Sequence, residues 1–229
     1  MRLPPPAACK EDDVFDWNEL ETKLLDYWFG SIDDATPLMD DPSMVHVRRW
    51  CSKGPAIDAD IRQHFESYYQ AVTSSAQVWR DVAARVRDSP RGSLALTILL
   101  DQIPRNIYRG TARMYAHDGL ALALAFRALD AGHADAMSLP EKMFQALPLM
   151  HAEDLTLQWI VEEWFEGLAR ASKEHSPDNV GYYENALASA RRHRSVIERF
   201  GRFPHRNEIL GRDSTPRELT ALRDEEIHF

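Results

Sequence analysis

The sequence predicts an all-α protein, and three observations carry that expectation. Apolar residues recur at helical spacing through most of the chain, as in Ile57, Ile61, Phe65, Tyr68 and Val72. Helix start and stop signals bracket those runs. No stretch alternates apolar and polar residues for long enough to make a strand. At ordinary helix and loop lengths, 229 residues accommodate about nine to eleven helices. No fixed sequence repeat is present, although short paired helices permit a repeat-like stack. The length suits one large domain or two small ones; we expect a single all-helical domain over 15–229, preceded by a disordered Pro- and Ala-rich arm over 1–14.

In chain order, Asp16-Trp17-Asn18-Glu19 has the spacing of a capping box, opening a helix that should reach Phe29 and stop at Gly30. Residues 31–54, rich in Asp, Pro and Gly, read as loop with at most one turn around 45–50. The Ile57–Val72 stripe and the set Val78, Trp79, Val82 and Val86 give two amphipathic helices, the second ending before Pro90. The uncharged run 94–100 reads as a helix buried on most of its circumference. Pro104 should end or kink it, because proline lacks an N–H and disfavours helical geometry before it. The next helix, 119–131, closes on Gly132. Ser138-Leu139-Pro140-Glu141 opens another, which Pro148 should interrupt, and a long helix should start at 151–154 and reach Ala171. A loop at 176–179 leads to a helix over 182–200 closed by Gly201. A short turn follows from Phe203 to Leu210, and Thr215-Pro216-Arg217-Glu218 is a third capping box, with Pro at the first helical position.

Composition narrows the functional classes. The net charge of −9 argues against a general nucleic-acid binder. Acids dominate residues 11–60, whereas 191–212 holds seven arginines and no lysine; arginine holds carboxylates and phosphates with a planar fork that lysine lacks. No run is apolar for the roughly 18 residues of a membrane span, and the N-terminus has no apolar signal core. Cys9 and Cys51 are the only cysteines, so a reducing, cytoplasmic home without disulfides is expected. Glycine-rich phosphate loops, H-E-x-x-H, paired cysteines and G-x-S-x-G are all absent. A metal-free and cofactor-free protein is expected.

Three polar constellations remain. Asp101, Gln102, Arg105, Asn106 and Arg109 gather around Pro104 at the mouth of the apolar run, as a pocket floor or as a knot of Arg–Asp pairs. His151, Glu153 and Asp154 follow, with Gln158 one turn on from Asp154 and on its face. Acids there either cap a helix or grip a cation near its N-terminus. The third comprises His193 and Arg194, then Arg202, Phe203, His205, Arg206 and Asn207 close to a glycine turn. Lone histidines are more often structural than catalytic; two in one cluster raise the odds of function without reversing them, because imidazole titrates near neutral pH.

Together these stretches resemble a known family. The runs 99–113, 147–154 and 192–207, with Tyr27-Trp28-Phe29-Gly30 near the start, are similar to the signature of domain-of-unknown-function family 924, an all-helical group resembling tetratricopeptide-type helix stacks. The resemblance implies a TPR-like stack of antiparallel helices. A fungal branch of that family is similar to the arginine-containing cyclodipeptide synthases, which join arginine to a second amino acid from aminoacyl-tRNA. The arm, the inserted region 33–53 and the loop around Ser176 point to that branch. The family tends to place further acids where Leu157 and Trp159 stand, and only Gln158 fits. By this resemblance the partners are arginyl-tRNA and a second aminoacyl-tRNA, with no metal or cofactor. Proximity contributes much of such a rate. Glu153 or Asp154 would hold the α-ammonium and take its proton, with His151 or His193 as alternative bases. Asp101 would fork with the substrate guanidinium, in a pocket shared with Gln102, Arg105, Asn106, Arg109, Gln158 and His193. Arg194, Arg202, His205, Arg206 and Asn207 would hold the tRNA. The alternative is a non-enzymatic helical scaffold that binds a peptide or protein partner, with the ionic clusters as internal ties.

Overall fold

The computed structural model describes residues 16–38, 47, 49, 50, 54–224 and 227. The expected arm over 1–14, both cysteines and most of the acid- and proline-rich insertion lie outside the described residues. Among the described residues there are nine α-helices, four 3-10 turns and no strand. The helices are α1 (Trp17–Trp28), α2 (Pro55–Val72), α3 (Ala76–Arg85), α4 (Pro90–Ile107), α5 (Asp118–Asp130), α6 (Leu139–Met150), α7 (Leu155–His175), α8 (Val180–Phe200) and α9 (Pro216–Arg223).

Local chemistry explains most of the boundaries. Asp16 accepts the N–H groups of Asn18 and Glu19 to start α1, and Ser75 and Ser89 cap α3 and α4 in the same way. Both halves of the capping box are present at Ser138–Glu141 and Thr215–Glu218. Gly132 and Gly201 end helices at φ of 72° and 70°, a left-handed conformation that side chains disfavour.

Helix α4 is the axis of the fold. Only Pro90, Arg91, Gln102 and Arg105 of its eighteen residues escape burial, and α1, α2, α5 and α6 pack around it. The approach of α1 and α3 is close at Gly92, where an added Cβ would stand 3.0 Å from Val86 and 3.1 Å from Glu21. On the far side, α7 and α8 form a long hairpin joined by the 3-10 turn Pro177–Asn179, so they must run antiparallel, and α6 packs on α7. One apolar core extends from Trp17 to Ala190. A small second cluster of Val196, Ile197, Phe203, Ala221 and Ile227 seats α9 on the end of α8.

Three sequence expectations are corrected. Pro104 and Pro148 lie inside α4 and α6 instead of ending them. A mid-helix proline costs about 3 kcal/mol, and α4 regains it from burial on every side; Tyr108 N–H bonds the Pro104 carbonyl at 3.0 Å, so the ladder resumes at once. The third correction concerns residues 151–154. His151 is the C-cap of α6, and α7 begins only after Asp154, whose carboxylate accepts the Leu157 N–H at 3.0 Å. Between them lies a tight corner tied by Gln158, which donates to the carbonyls of Met150 at 2.8 Å and Ala152 at 2.9 Å.

Candidate functional site

At the corner between α6 and α7, a cleft of about 460 Å³ opens among α5, the α6–α7 turn and the segment before α9. Its polar lining comprises Tyr115, Asp118, His151, Glu153, Asp154 and Arg206, and its apolar lining includes Leu122, Pro148, Leu157 and Leu210. All three sequence constellations thus reach this one region, through Asp101, the 151–154 turn and Arg206.

The floor is an ion network built on α4. Asp101 is 1% exposed. Its Oδ1 accepts from His151 Nδ1 at 2.7 Å and from Arg105 Nη2 at 3.0 Å, and Gln102 Nε2 donates to its other oxygen. Arg105 lies one helical turn beyond Asp101, which is why the pair meets, and its Nη2 also donates to Asp118 at 3.0 Å. Burial alone would raise the Asp101 carboxyl, but Arg105 and His151 hold it well below the usual carboxylate range. His151 shifts the other way: burial and the nearby Arg105 lower it against the pull of Asp101. The neutral imidazole is therefore the favoured form. An ionised Asp101 can only accept, so the proton sits on Nδ1 and Nε2 carries the basic lone pair. A carboxylate orienting an imidazole in this way is the arrangement that general-base catalysis uses.

Glu153 is held differently. Arg212 grips it through two bonds, at 2.6 and 3.0 Å, and the Phe203 N–H donates to it at 2.7 Å. Burial would raise its pKa, but Arg212 and that N–H keep it below its ordinary value. Asp154 caps α7 and stays exposed at the rim. His193 lies behind His151, with ring centres 6.5 Å apart; its Nδ1 bonds the Ser189 carbonyl at 2.8 Å and burial pushes its pKa down to about 3. His205 is exposed, with its ring 5.7 Å from that of Phe203.

Other candidate residues serve as ties elsewhere. Arg109 makes a two-bond pair with Asp58 of α2, at 2.8 and 2.9 Å, and also holds Asn106, which donates to the Gln102 carbonyl. Gln158 is fully buried in the corner it closes. Arg194 is engaged by Glu162 and Glu198 and stacks on Trp159, on the outer face of the α7–α8 hairpin. Arg202 grips Glu218 of α9 at 2.6 and 2.8 Å, and Asn207 bonds Ser214 and Arg212. These side chains were expected to face substrate or tRNA. Arg109, Arg194 and Arg202 instead meet carboxylates of neighbouring elements, because a guanidinium near a helix seam finds one within reach, while Asn106, Gln158 and Asn207 are held by groups close to them in the chain.

Asp118 and Tyr115 are site residues that sequence reasoning missed. Asp118 opens an apolar, alanine-rich helix, and an acid in a first turn reads as dipole compensation. Its pairing with Arg105 depends on where α5 crosses α4.

Among the described residues, no group of three or more His, Cys, Asp or Glu side chains is placed to hold a metal ion, and no helix is long and apolar enough to cross a membrane.

The profile of a family described as "Bacterial protein of unknown function (DUF924)" matches residues 24–226. No curated protein matches the chain. A solved structure, the protein of unknown function ATU0120 from Agrobacterium tumefaciens, is 33% identical over 91% of this chain and 99% of its own, with a TM-score of 0.67.

Proposed function

The chain belongs to the DUF924 family, and from that membership and the histidine-lined cleft we propose that it is an arginine-containing cyclodipeptide synthase that uses aminoacyl-tRNA. The observation that carries the reading is the Asp101–His151 pair, 2.7 Å apart at the wall of an open cleft. Joining two aminoacyl esters needs no cofactor, since the ester is already activated. In the first step the α-amine of one aminoacyl group attacks the ester carbonyl of the other. A C–N bond forms, the C–O bond to the ribose breaks, and the proton leaving the amine reaches the departing ribose oxygen. His151 Nε2 takes and returns that proton, while Asp101 stabilises the transient imidazolium. The free N-terminal amine of the dipeptidyl ester then attacks the remaining ester carbonyl in the same manner, forming the second C–N bond and releasing the second ribose oxygen with the proton.

In this reading the exposed carboxylate of Asp154 binds the cationic end of the arginyl group, and Leu122, Leu157 and Leu210 cover its methylenes. The tRNA backbone meets the exposed Arg192 and Arg217; Arg194 and Arg202 are held by carboxylates. Charged tRNA as substrate places the protein in the cytoplasm. The test is expression in bacteria, followed by mass spectrometry of the medium for a new arginine-containing cyclic dipeptide. His151→Gln should abolish the product and leave the protein folded. Soluble native protein that yields none, with arginyl-tRNA present, refutes the synthase reading.

One observation favours the scaffold reading. Leu155, Trp159 and Ile160 lie on the outer face of α7 at 39, 50 and 42% exposure, an apolar strip of the kind that partners cover. On that reading, Trp159→Ala abolishes partner binding and no dipeptide is made.

A further inference from the structure

Arg206 differs from every other arginine in the site. Its side chain is only 8% exposed, yet it donates no hydrogen bond among the described residues; its Nε, like that of Arg105, is buried without an acceptor. The nearest counter-charge is Asp118, whose Oδ2 lies 3.6 Å from Nη1. That carboxylate is already shared with Arg105 at 3.0 Å. By contrast, Arg105 has two carboxylates, while Arg202 and Arg212 each hold one through two bonds. What Arg206 has in abundance is aromatic packing: its guanidinium carbon lies 4.7 Å from the Tyr115 ring centre and 4.5 Å from that of Phe203. Such packing fixes the plane of the fork and supplies no acceptor.

A guanidinium carries five donors and cannot shed its proton. Burying that charge with its donors unmet is costly, and folds retain such groups where something else completes them. Arg206 lines the cleft, with its long side chain pinned in advance. We propose that Arg206 is the anion anchor of the cleft and receives a carboxylate or phosphate group of the ligand in a planar, two-bonded grip beside Tyr115 and Phe203. This differs from the role of the exposed arginines, because a buried group in a cleft cannot follow a nucleic-acid backbone along the surface. Glu153 does not oppose the anion, because Arg212 neutralises it; Asp118 shares Arg105 with Asp101 and lies nearer to Arg105, at 3.0 Å, than to Arg206, at 3.6 Å. Asp154 remains at the rim, so the preferred ligand also carries a cationic group. The inference does not rest on the synthase reading: a protein that made no dipeptide would still bind the anion.

The test is to titrate the full chain with inorganic phosphate and, separately, with acetate, at constant ionic strength. Melting temperature and the Nε–H resonance of Arg206 are followed. At least one anion should bind saturably, raise the melting temperature and shift that resonance. Stronger binding of phosphate identifies a phosphoester ligand, and stronger binding of acetate a carboxylate. Arg206→Met keeps the packing on the two rings and removes the charge. It should weaken binding at least tenfold and, without anion, melt no lower than the native protein. Absence of saturable binding by either anion overturns the proposal, as does equal binding by the Met variant. A lower melting point for that variant in the absence of anion would show the guanidinium to be structural and overturn it equally. If the variant does not fold, the native resonance decides: an unmoved Nε–H signal refutes the anchor. Failure of the dipeptide assay with anion binding intact would remove the synthase reading alone.

Discussion

Replacing Asp101 with Asn separates the two roles that its carboxylate plays. Asp101 Oδ1 accepts from His151 at 2.7 Å and from Arg105 at 3.0 Å in a position that is 1% exposed. Removing one member of a buried ion pair costs about 3–5 kcal/mol when the partner is stranded. Here Arg105 keeps Asp118 at 3.0 Å, and an amide oxygen can still accept from both donors. Gln102 must turn its own amide to accept from the new NH2, which its half-exposed position permits. The expected loss is therefore about 2 kcal/mol, or a fall in Tm of about 4–8 °C for a chain of this length. Activity should suffer far more. The variant holds His151 in place but offers no negative charge to the imidazolium that forms as the amine loses its proton. A drop of about 10²–10⁴-fold is expected. Purified protein, charged tRNA and mass spectrometric quantification of cyclic dipeptide measure that rate, and calorimetry gives Tm. A variant that works at the native rate refutes the oriented-imidazole reasoning. One that loses far more than 8 °C shows that the carboxylate serves the fold first.

Four further expectations follow from the same geometry. Asp154→Asn should leave Tm within a degree or two, since Asn caps a helix as well as Asp, yet cut product if the rim carboxylate binds a cation; Glu153→Gln should lower Tm by about 2–4 °C, equivalent to about 1 kcal/mol for a weakened charged bond. Unchanged product from the Asp154→Asn variant would make that acid a cap and nothing more. Gln158→Ala removes a donor that serves three carbonyls, at 2.8, 2.9 and 3.4 Å, in a sealed corner; about 2–3 kcal/mol should be lost, read as a lower urea midpoint at unchanged slope. Acid should destabilise the protein through His193. Its folded-state pKa of about 3 lies below the ordinary 6.5, so the unfolded chain binds a proton that the native state refuses. Stability is complete above pH 6.5 and declines as pH falls towards 3. His193→Phe should flatten that decline in urea midpoints taken at pH 7, 5 and 4, and an unchanged decline would exclude His193 as its source.

The sequence alone determined what depends on neighbours along the chain. Capping boxes at Ser138 and Thr215, the left-handed glycines after α5 and α8, and the apolar stripe of α2 all act within a few residues, so they were legible without coordinates. Asp101 and Arg105, one turn apart, were legible as a pair for the same reason. The tertiary structure decided everything that needs two helices to cross. Proline at 104 signals a break, and only the packing of α1, α2, α5 and α6 around α4 outweighs it. His151 turns towards Asp101, fifty positions earlier, because α6 ends beside α4. Asp118 and Arg206 enter the site from segments 88 residues apart. Arginines that read as phosphate contacts, such as Arg194 and Arg202, are tied off by Glu162 and Glu218 from other helices. A charge pattern gives the inventory of ions; which of them neutralise one another is a question of distance, and distance across the core is set by helix packing.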